Sequence, residues 1–326
     1  MIDVSVVVPV FNEVESVELL VQKLTDALPR LNRSWEAVLV DDGSSDGTWD
    51  KLKVLAARVK GLRLVRLRRN FGQTAAMSAG FDHARGRIIV TLDADLQNDP
   101  EDIPLLIDEL EKNDLDVVSG WRKNRKDTFI NRRLPSILAN DLISRFTGVR
   151  LHDYGCTLKA YRREVVENLS LYGEMHRFIP ALASWVGGSI GEAVVRHHPR
   201  QFGKSKYGIS RTIRVVLDLI TVNFLLRYST RPIQIFGRIG LYSLLAGAAL
   251  MAVMVLPHLL FPFYKVEFLG ELVKLAKRPF WVTTPFMLIF FGIQFISMGL
   301  LAELQTRTYH ESQKKPIYTV RDIIES

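Results

Sequence analysis

Five short runs of β-branched and apolar residues recur through the first 120 positions: V-S-V-V-V-P-V from Val4, W-E-A-V-L-V from Trp35, L-R-L-V-R-L from Leu62, I-I-V-T-L from Ile88 and L-D-V-V-S-G from Leu115. Most are near-continuously apolar, without the strict alternation of a half-exposed sheet. Such runs suit strands covered on both faces, as in a mostly parallel sheet. The stretches between them, Val14–Leu28, Thr48–Val59, Gln73–Ala84 and Pro100–Lys112, read as crossover helices. The alternation predicts a doubly wound α/β domain. Ligands of such domains gather at the carboxyl ends of strands, so the segments following each strand are where chemistry is to be sought.

The pattern then changes twice. Residues 121–232 are mixed and basic; from Arg196 to Arg238 nine Lys/Arg face one acid, Asp218. Within that stretch, Arg211, Arg214, Asp218 and Arg227 lie among apolar residues, the pattern of an amphipathic helix on a membrane surface. Ile239–Tyr264 and Phe280–Ala302 contain no Asp, Glu, Lys or Arg. Each is long enough to cross ~30 Å of hydrocarbon at ~1.5 Å per residue. The expected organisation is an α/β catalytic domain over 1–205, amphipathic interface helices over 206–232, and two membrane spans with a short C-terminal tail over 233–326. Two spans put both flanks on one side of the bilayer. Arg227, Arg231 and Arg238 before the first and Arg307, Lys314 and Lys315 after the second favour the cytoplasmic side, although Lys265, Lys274, Lys277 and Arg278 in the loop make the contrast modest. The N-terminus reads as a first strand and not as a signal peptide, since no basic stretch precedes its apolar run.

Composition narrows the partners. A formal net charge of +8 favours an anionic partner, and the single cysteine, Cys156, excludes an intrachain disulfide framework and any multi-cysteine metal site. The segment W-R-K-N-R-K-D-T-F-I-N-R-R from Trp121 sets six bases against one acid. With two spans following, a lipid head group suits it better than nucleic acid.

Against this basic background, two acidic clusters stand at strand ends. T-L-D-A-D-L-Q-N-D-P runs from Thr91 to Pro100. In an extended segment side chains two apart point the same way, so Asp93, Asp95 and Gln97 would face one point. Three oxygen donors suit Mg²⁺ or Mn²⁺, which would keep open positions for phosphate oxygens. Asp99 before Pro100 reads as a helix cap. The second cluster, V-D-D-G-S-S-D-G-T, follows the second strand; a carboxylate there can accept from a nucleobase N–H. At the end of the first strand, Asn12 would cap the next helix while Phe11 and Glu13 would hold a base. There is no G-x-G-x-x-G after the first strand and no G-x-x-x-x-G-K-[ST] anywhere, which weakens the dinucleotide and P-loop readings.

Taken in order, V-V-V-P-V-F-N-E, V-D-D-G-S-S-D-G-T, R-N-F-G-Q-T-A-A-M-S-A-G and L-D-A-D-L-Q-N-D-P-E-D-I-P resemble the GT-A domain of family 2 glycosyltransferases. With D-Y-G-C-T-L-K-A-Y-R-R, F-G-K-S-K-Y and two apolar C-terminal segments, nearly the whole chain is similar to polyprenyl-phosphate glycosyltransferases, the dolichol-phosphate mannose synthase and undecaprenyl-phosphate glycosyltransferase type. The resemblance implies a GT-A, Rossmann-like catalytic domain followed by interface helices and two transmembrane helices. It implies nucleotide binding by Pro9, Phe11, Glu13 and Asp42, and a Mg²⁺ or Mn²⁺ ion on Asp93, Asp95 and Gln97. It places the acceptor phosphate on Arg122, Arg132, Ser136, Arg200, Ser205 and Lys206, and faces Asp153 to the sugar. Asp95, Asp153, Arg122 and Arg132 form the implied catalytic set. Lys159 stands where many members carry Arg, and D-Y-G-C with A-Y-R-R resembles the formamido-arabinose branch.

The expected activity is transfer of a hexose from a UDP- or GDP-sugar to a polyprenyl phosphate, with inversion, at the cytoplasmic face of a bacterial inner membrane, by a chain able to form homo-oligomers; an aminopentose of the formamido-arabinose type is the alternative sugar. A phosphate monoester, with a second pKa near ~6, is already a charged nucleophile at neutral pH, so no general base is required. Asp153 then remains open as base, sugar ligand or structural partner. His152, His197 and His198 read as surface or interface residues, not metal ligands. A processive polysaccharide synthase would show Q-x-x-R-W, which is absent. A non-enzymatic scaffold or transporter subunit would not need the acid clusters.

Overall fold

A computed structural model of the chain describes residues 2–123, most of 140–199, isolated positions between 220 and 308, and residues 317–326. The chain divides into two compact units, Met1–Val222 with Lys315–Ser326, and Asn223–Lys314.

The first unit is built on one sheet. Its strands are β1 (Val4–Val10), β2 (Trp35–Asp41), β3 (Leu62–Leu67), β4 (Ile88–Thr91), β5 (Val117–Trp121), β6 (Lys159–Arg162), β7 (Ile190–Val194) and β8 (Val320–Glu325). They lie in the order β7-β5-β6-β4-β1-β2-β3-β8. The β3-β2-β1-β4 half is parallel throughout, with Val7 beside both Val38 and Thr91. The first five strands thus form where the apolar runs predict them, within two residues.

The helices match within three residues: α1 (Val17–Ala27), α2 (Thr48–Ala56), α3 (Gln73–His83) and α4 (Ile103–Lys112, after a 3₁₀ turn at Pro100–Asp102). Helix α1 buries Val17, Leu20, Val21 and Leu24, and α4 buries Ile103, Leu106, Ile107 and Leu110. That i, i+3, i+4, i+7 spacing makes one apolar stripe per helix. Each Leu or Ile so covered contributes ~1.5–3 kcal/mol. Helix α3 differs: Thr74 to Met77 and Ala79 to Phe81 are all buried. Its small residues allow close approach to the sheet, and a methyl at Gly80 would collide with Val7.

Three features lay outside the apolar pattern. Strand β6 enters antiparallel between β4 and β5, and β7 pairs parallel with β5. Short helices α5 (Arg163–Glu167) and α6 (Ile179–Trp185) follow β6. The end of the chain, expected only as a tail, forms β8, antiparallel to β3 at the sheet's edge. There Glu325 meets Arg63 and Arg85, the Tyr318 hydroxyl donates to Asp82 at 2.7 Å, and the Ser326 hydroxyl donates to Leu62 O at 2.8 Å.

In the second unit the predicted span 239–264 lies outside the described residues. Of 280–302 a few positions are described, each helical. Among them Met287, Phe290, Met298 and Leu301 expose their apolar side chains. Among the described residues no helix is long and apolar enough to cross a membrane.

Candidate active site

An open cleft of about 220 Å³ lies at the carboxyl ends of β1, β2 and β4. Pro9, Phe11, Glu13, Asp42, Asp93 and Asp95, all singled out from the sequence, line it together.

On the β1–β2 side the polar groups mostly bind the protein's own backbone. Asp42 accepts from Phe71 N at 2.8 Å and Gly72 N at 2.9 Å, holding the loop that leads into α3. Burial outweighs these bonds and pushes its carboxyl up to about 6. Asn12 does not cap α1: its side-chain oxygen accepts from Ser45 N at 2.9 Å, tying the β1 and β2 loops together. Its φ of 55° is the left-handed conformation that asparagine tolerates better than most residues. Glu13 receives the Ser16 hydroxyl at 2.5 Å while lining the cleft.

The D-A-D-L-Q segment is a turn and not the extended stretch assumed from sequence, with Leu96 at φ 61°. Of the three expected donors, Asp93 and Asp95 line the cleft, and Gln97 is not among its lining residues. Ala94 and Leu96 are buried in the core, while Asp93, Asp95 and Gln97 are only partly covered. The Asp95 carboxylate accepts from Gln97 N at 3.1 Å, closing the turn. Asp93 receives Gln73 Nε2 at 2.9 Å, and the neighbouring Thr157 hydroxyl favours its ionised form. Burial first, and then the like charge of Asp95, push the Asp93 carboxyl up to about 6. As expected, Asp99 caps the following turn, accepting from Glu101 N at 3.1 Å.

Beyond the turn, β5 delivers Arg122 and the loop before β6 delivers Asp153. They meet side-on: Arg122 Nε donates to Asp153 at 2.7 Å and Nη2 at 3.0 Å. Both side chains are buried, and the pairing holds the guanidinium above its ordinary pKa despite burial. Lys159, at the start of β6, is also buried, with its ammonium on the carbonyls of Tyr154 and Cys156. Burial pushes its pKa down.

Residues 5–170 match the family model described as glycosyl transferase family 2. The chain belongs to glycosyl transferase family 2. It is similar over 99% of its length, at 48% identity, to the dodecaprenyl-phosphate galacturonate synthase of Rhizobium johnstonii, of which the match covers 94%. It is 38% identical over 98% of its length to the undecaprenyl-phosphate 4-deoxy-4-formamido-L-arabinose transferase of Salmonella choleraesuis, of which 93% is covered. The fold is shared with glucosyl-3-phosphoglycerate synthase of Mycobacterium tuberculosis, solved with Mn²⁺, UDP and phosphoglyceric acid: TM-score 0.53, 18% identity, 69% of this chain and 78% of that one. These likenesses agree with the expected GT-A-like α/β fold and mostly parallel sheet.

In this family 2 chain, Asp93 and Asp95 fit a hard divalent cation by their own chemistry. Burial and the charge of Asp95 raise the cost of ionising Asp93, and a cation relieves it. Among the described residues no cluster of three or more His, Cys, Asp or Glu is placed to hold an ion. Arg132, Ser136, Arg200, Ser205 and Lys206 lie outside the described residues. His198 donates its backbone N–H to Gln97 O at 2.9 Å. The sequence reading gave no role to Gln73, Asn70 or Thr157. Only their place inside or beside quoted motifs could have marked them.

Proposed function

We propose that this chain transfers a sugar from a nucleotide sugar to a polyprenyl phosphate at a membrane, inverting the anomeric centre. The observation that carries the reading is the division of the site. A cleft lined by the carboxylates of Glu13, Asp42, Asp93 and Asp95 opens at the β1, β2 and β4 ends, and Arg122, largely covered, lies on the β5 side. Nucleotide sugar fits the first half and a lipid phosphate the second. The sequence-similar relatives, each matched nearly end to end, carry polyprenyl-phosphate transfer in their names. Galacturonate and 4-deoxy-4-formamido-L-arabinose are the two sugars those names offer, and galacturonate belongs to the more similar of the two.

Within this reading Pro9, Phe11, Glu13 and Asp42 shape the nucleotide site. Asp42 contributes mainly by fixing the 71–72 backbone, with spare lone pairs toward the base. Asp93, Asp95 and Gln97 would hold Mg²⁺ or Mn²⁺. When bound, that ion supplies Lewis-acid stabilisation of the departing diphosphate. Gln73 and Thr157 orient Asp93. Arg122 aligns the acceptor phosphate, helped by Arg132, Ser136, Arg200, Ser205 and Lys206. Asp153 is the partner that orients Arg122. An attacking phosphate oxygen needs no proton removed, so no general base is assigned.

Membrane attachment through spans at 239–264 and 280–302, after interface helices at 206–232, is part of the same proposal. Supporting it are the uncharged sequences, the exposed apolar side chains along the second, and the course of the chain. The chain leaves the catalytic unit after Val222 and rejoins it at Lys315, which requires an even number of crossings. The deciding experiment incubates the detergent-solubilised chain with polyprenyl phosphate and a panel of UDP- and GDP-sugars, read by mass spectrometry of the lipid. UDP-galacturonic acid and the UDP-formamido-arabinose donor come first. No sugar-phosphate-lipid from any donor would refute the reading.

A further inference from the structure

The pairing of Arg122 with Asp153 raises the question of what holds Asp153. The answer lies outside the cleft, on the edge strand β7. Glu192 sits mid-strand, beside Ser119 of β5. An acid on an edge strand ordinarily faces water. Its side chain is instead only 14% exposed and accepts three N–H groups from the start of the loop. One oxygen takes His152 N at 2.8 Å and Asp153 N at 3.3 Å; the other meets His152 Nδ1 at 2.7 Å. Two more contacts fix the same point. The indole of Trp121 stacks on the His152 ring at 4.0 Å and 16°, and Asn140 Nδ2 donates to His152 O at 2.7 Å.

The consequence passes to Arg122. Among the described residues, two of its five donors bond Asp153, which leaves three for an incoming anion. A guanidinium held at one edge presents the rest in a fixed direction, which lowers the ordering cost of binding phosphate. We propose that Glu192 is a positioning residue for the acceptor phosphate, acting through the 152–153 backbone and Asp153 on Arg122. The proposal rests on the reading of Arg122 as an acceptor-phosphate ligand.

The test uses the full chain in detergent, with Glu192→Ala and Glu192→Gln each made alone and in an Arg122→Lys background. Gln keeps an oxygen for the two amides, so it should stay within about threefold of the parent; Ala removes it. Glu192→Ala should raise the acceptor KM about tenfold, with kcat and the nucleotide-sugar KM changed less than about twofold. In the Arg122→Lys background the same change should add almost nothing, since the group it serves is already lost. Hydrogen–deuterium exchange of peptides spanning 150–156 should quicken in Glu192→Ala and not in Glu192→Gln, whatever the substrate. A full tenfold loss in the Arg122→Lys background, or unchanged exchange at 150–156, would overturn the proposal. If the parent chain makes no lipid product at all, the functional reading falls instead, and the exchange comparison still decides whether Glu192 holds the loop.

Discussion

Replacing Asp153 by Asn separates positioning from proton transfer. The carboxylate meets Arg122 through two bonds of 2.7 and 3.0 Å, with side chains 4% and 12% exposed. Removing one member of such a buried pair costs ~3–5 kcal/mol. Asn keeps one acceptor oxygen, so about half of that, ~2 kcal/mol, is the expected loss. If it falls wholly on the orientation of Arg122, the acceptor KM rises up to roughly 30-fold, at ~1.4 kcal/mol per factor of ten. The melting temperature should drop by a few degrees, because Arg122 is left short of a partner. The kcat and the nucleotide-sugar KM should barely move. Initial rates at varied polyprenyl phosphate and nucleotide sugar, between pH 6 and 9, measure all three. A general base behaves differently: its loss removes ~10²–10⁴-fold in rate and erases the acidic limb of the pH profile. A collapse of kcat of that size, with acceptor KM and melting temperature unchanged, would refute the positioning account.

Asp95→Ala should nearly abolish transfer and, by Mn²⁺ titration in electron paramagnetic resonance, metal binding, without changing the melting temperature by more than a few degrees; undiminished turnover would remove the metal assignment. Gln73→Leu strips Asp93 of a hydrogen bond of 2.9 Å and should cost ~1–1.5 kcal/mol, about tenfold in kcat/KM, read by steady-state kinetics. Asp42 and Asp93 titrate near 6 in the fold against 3.8 for a free carboxyl, so the native state binds protons more tightly than the unfolded chain. Their destabilising effect is therefore full at pH 7 and relieved as pH falls toward 5. The metal-stripped protein should melt higher at pH 5 than at pH 7, and saturating Mn²⁺ should narrow the gap; a melting temperature that only falls on acidification would contradict this. Glu325→Ala leaves the buried Arg63 with Glu36 alone and should lower stability by ~1–2 kcal/mol in thermal melts, most of it from Arg63, since the Arg85 pair is exposed.

How much of this was legible in the sequence depended on what each residue answers to. Strands β1 to β5 and helices α1 to α4 are set by local apolar periodicity, and their bounds followed from it. Strand β6 reads K-A-Y-R and β7 reads I-G-E-A-V, too short and too polar to announce themselves. They are strands because the sheet's parallel half leaves an edge to be covered. Strand β8 reads V-R-D-I-I-E and is stabilised by Arg63, some 260 positions earlier, a contact no local pattern contains. In the site, Asp93 and Asp95 were visible because acids at the end of an apolar strand need a reason. Gln73 and Thr157 were not, since a glutamine at a helix start and a threonine in a loop are ordinary. Asn12 was misread for the same cause: its chemistry fits a cap, but the partner amide it found belongs to Ser45.

On the proposed reading, the charge around the centre gives the basic segments of the sequence a role. Leaving aside Glu13 and Asp42 at the β1–β2 end of the cleft, Asp93, Asp95 and Asp153 stand against Arg122 and Lys159, the latter as the ammonium its two carbonyl partners favour: three negative charges against two positive, net −1. A divalent cation brings the sum to +1. A diphosphate donor and a phosphate monoester acceptor each carry about −2 near neutrality. Bringing both together leaves the centre about three positive charges short, and at a partly desolvated site that shortfall is too costly to be left to bulk ions. The sequence holds the remedy on either side. Lys123, Arg125, Lys126, Arg132 and Arg133 follow Arg122 with only Asp127 against them, and Arg200, Lys204 and Lys206 follow His198, whose backbone N–H bonds Gln97 O. On that reading the carboxylates would collect the cation that offsets one phosphate, and the flanking bases would offset the other.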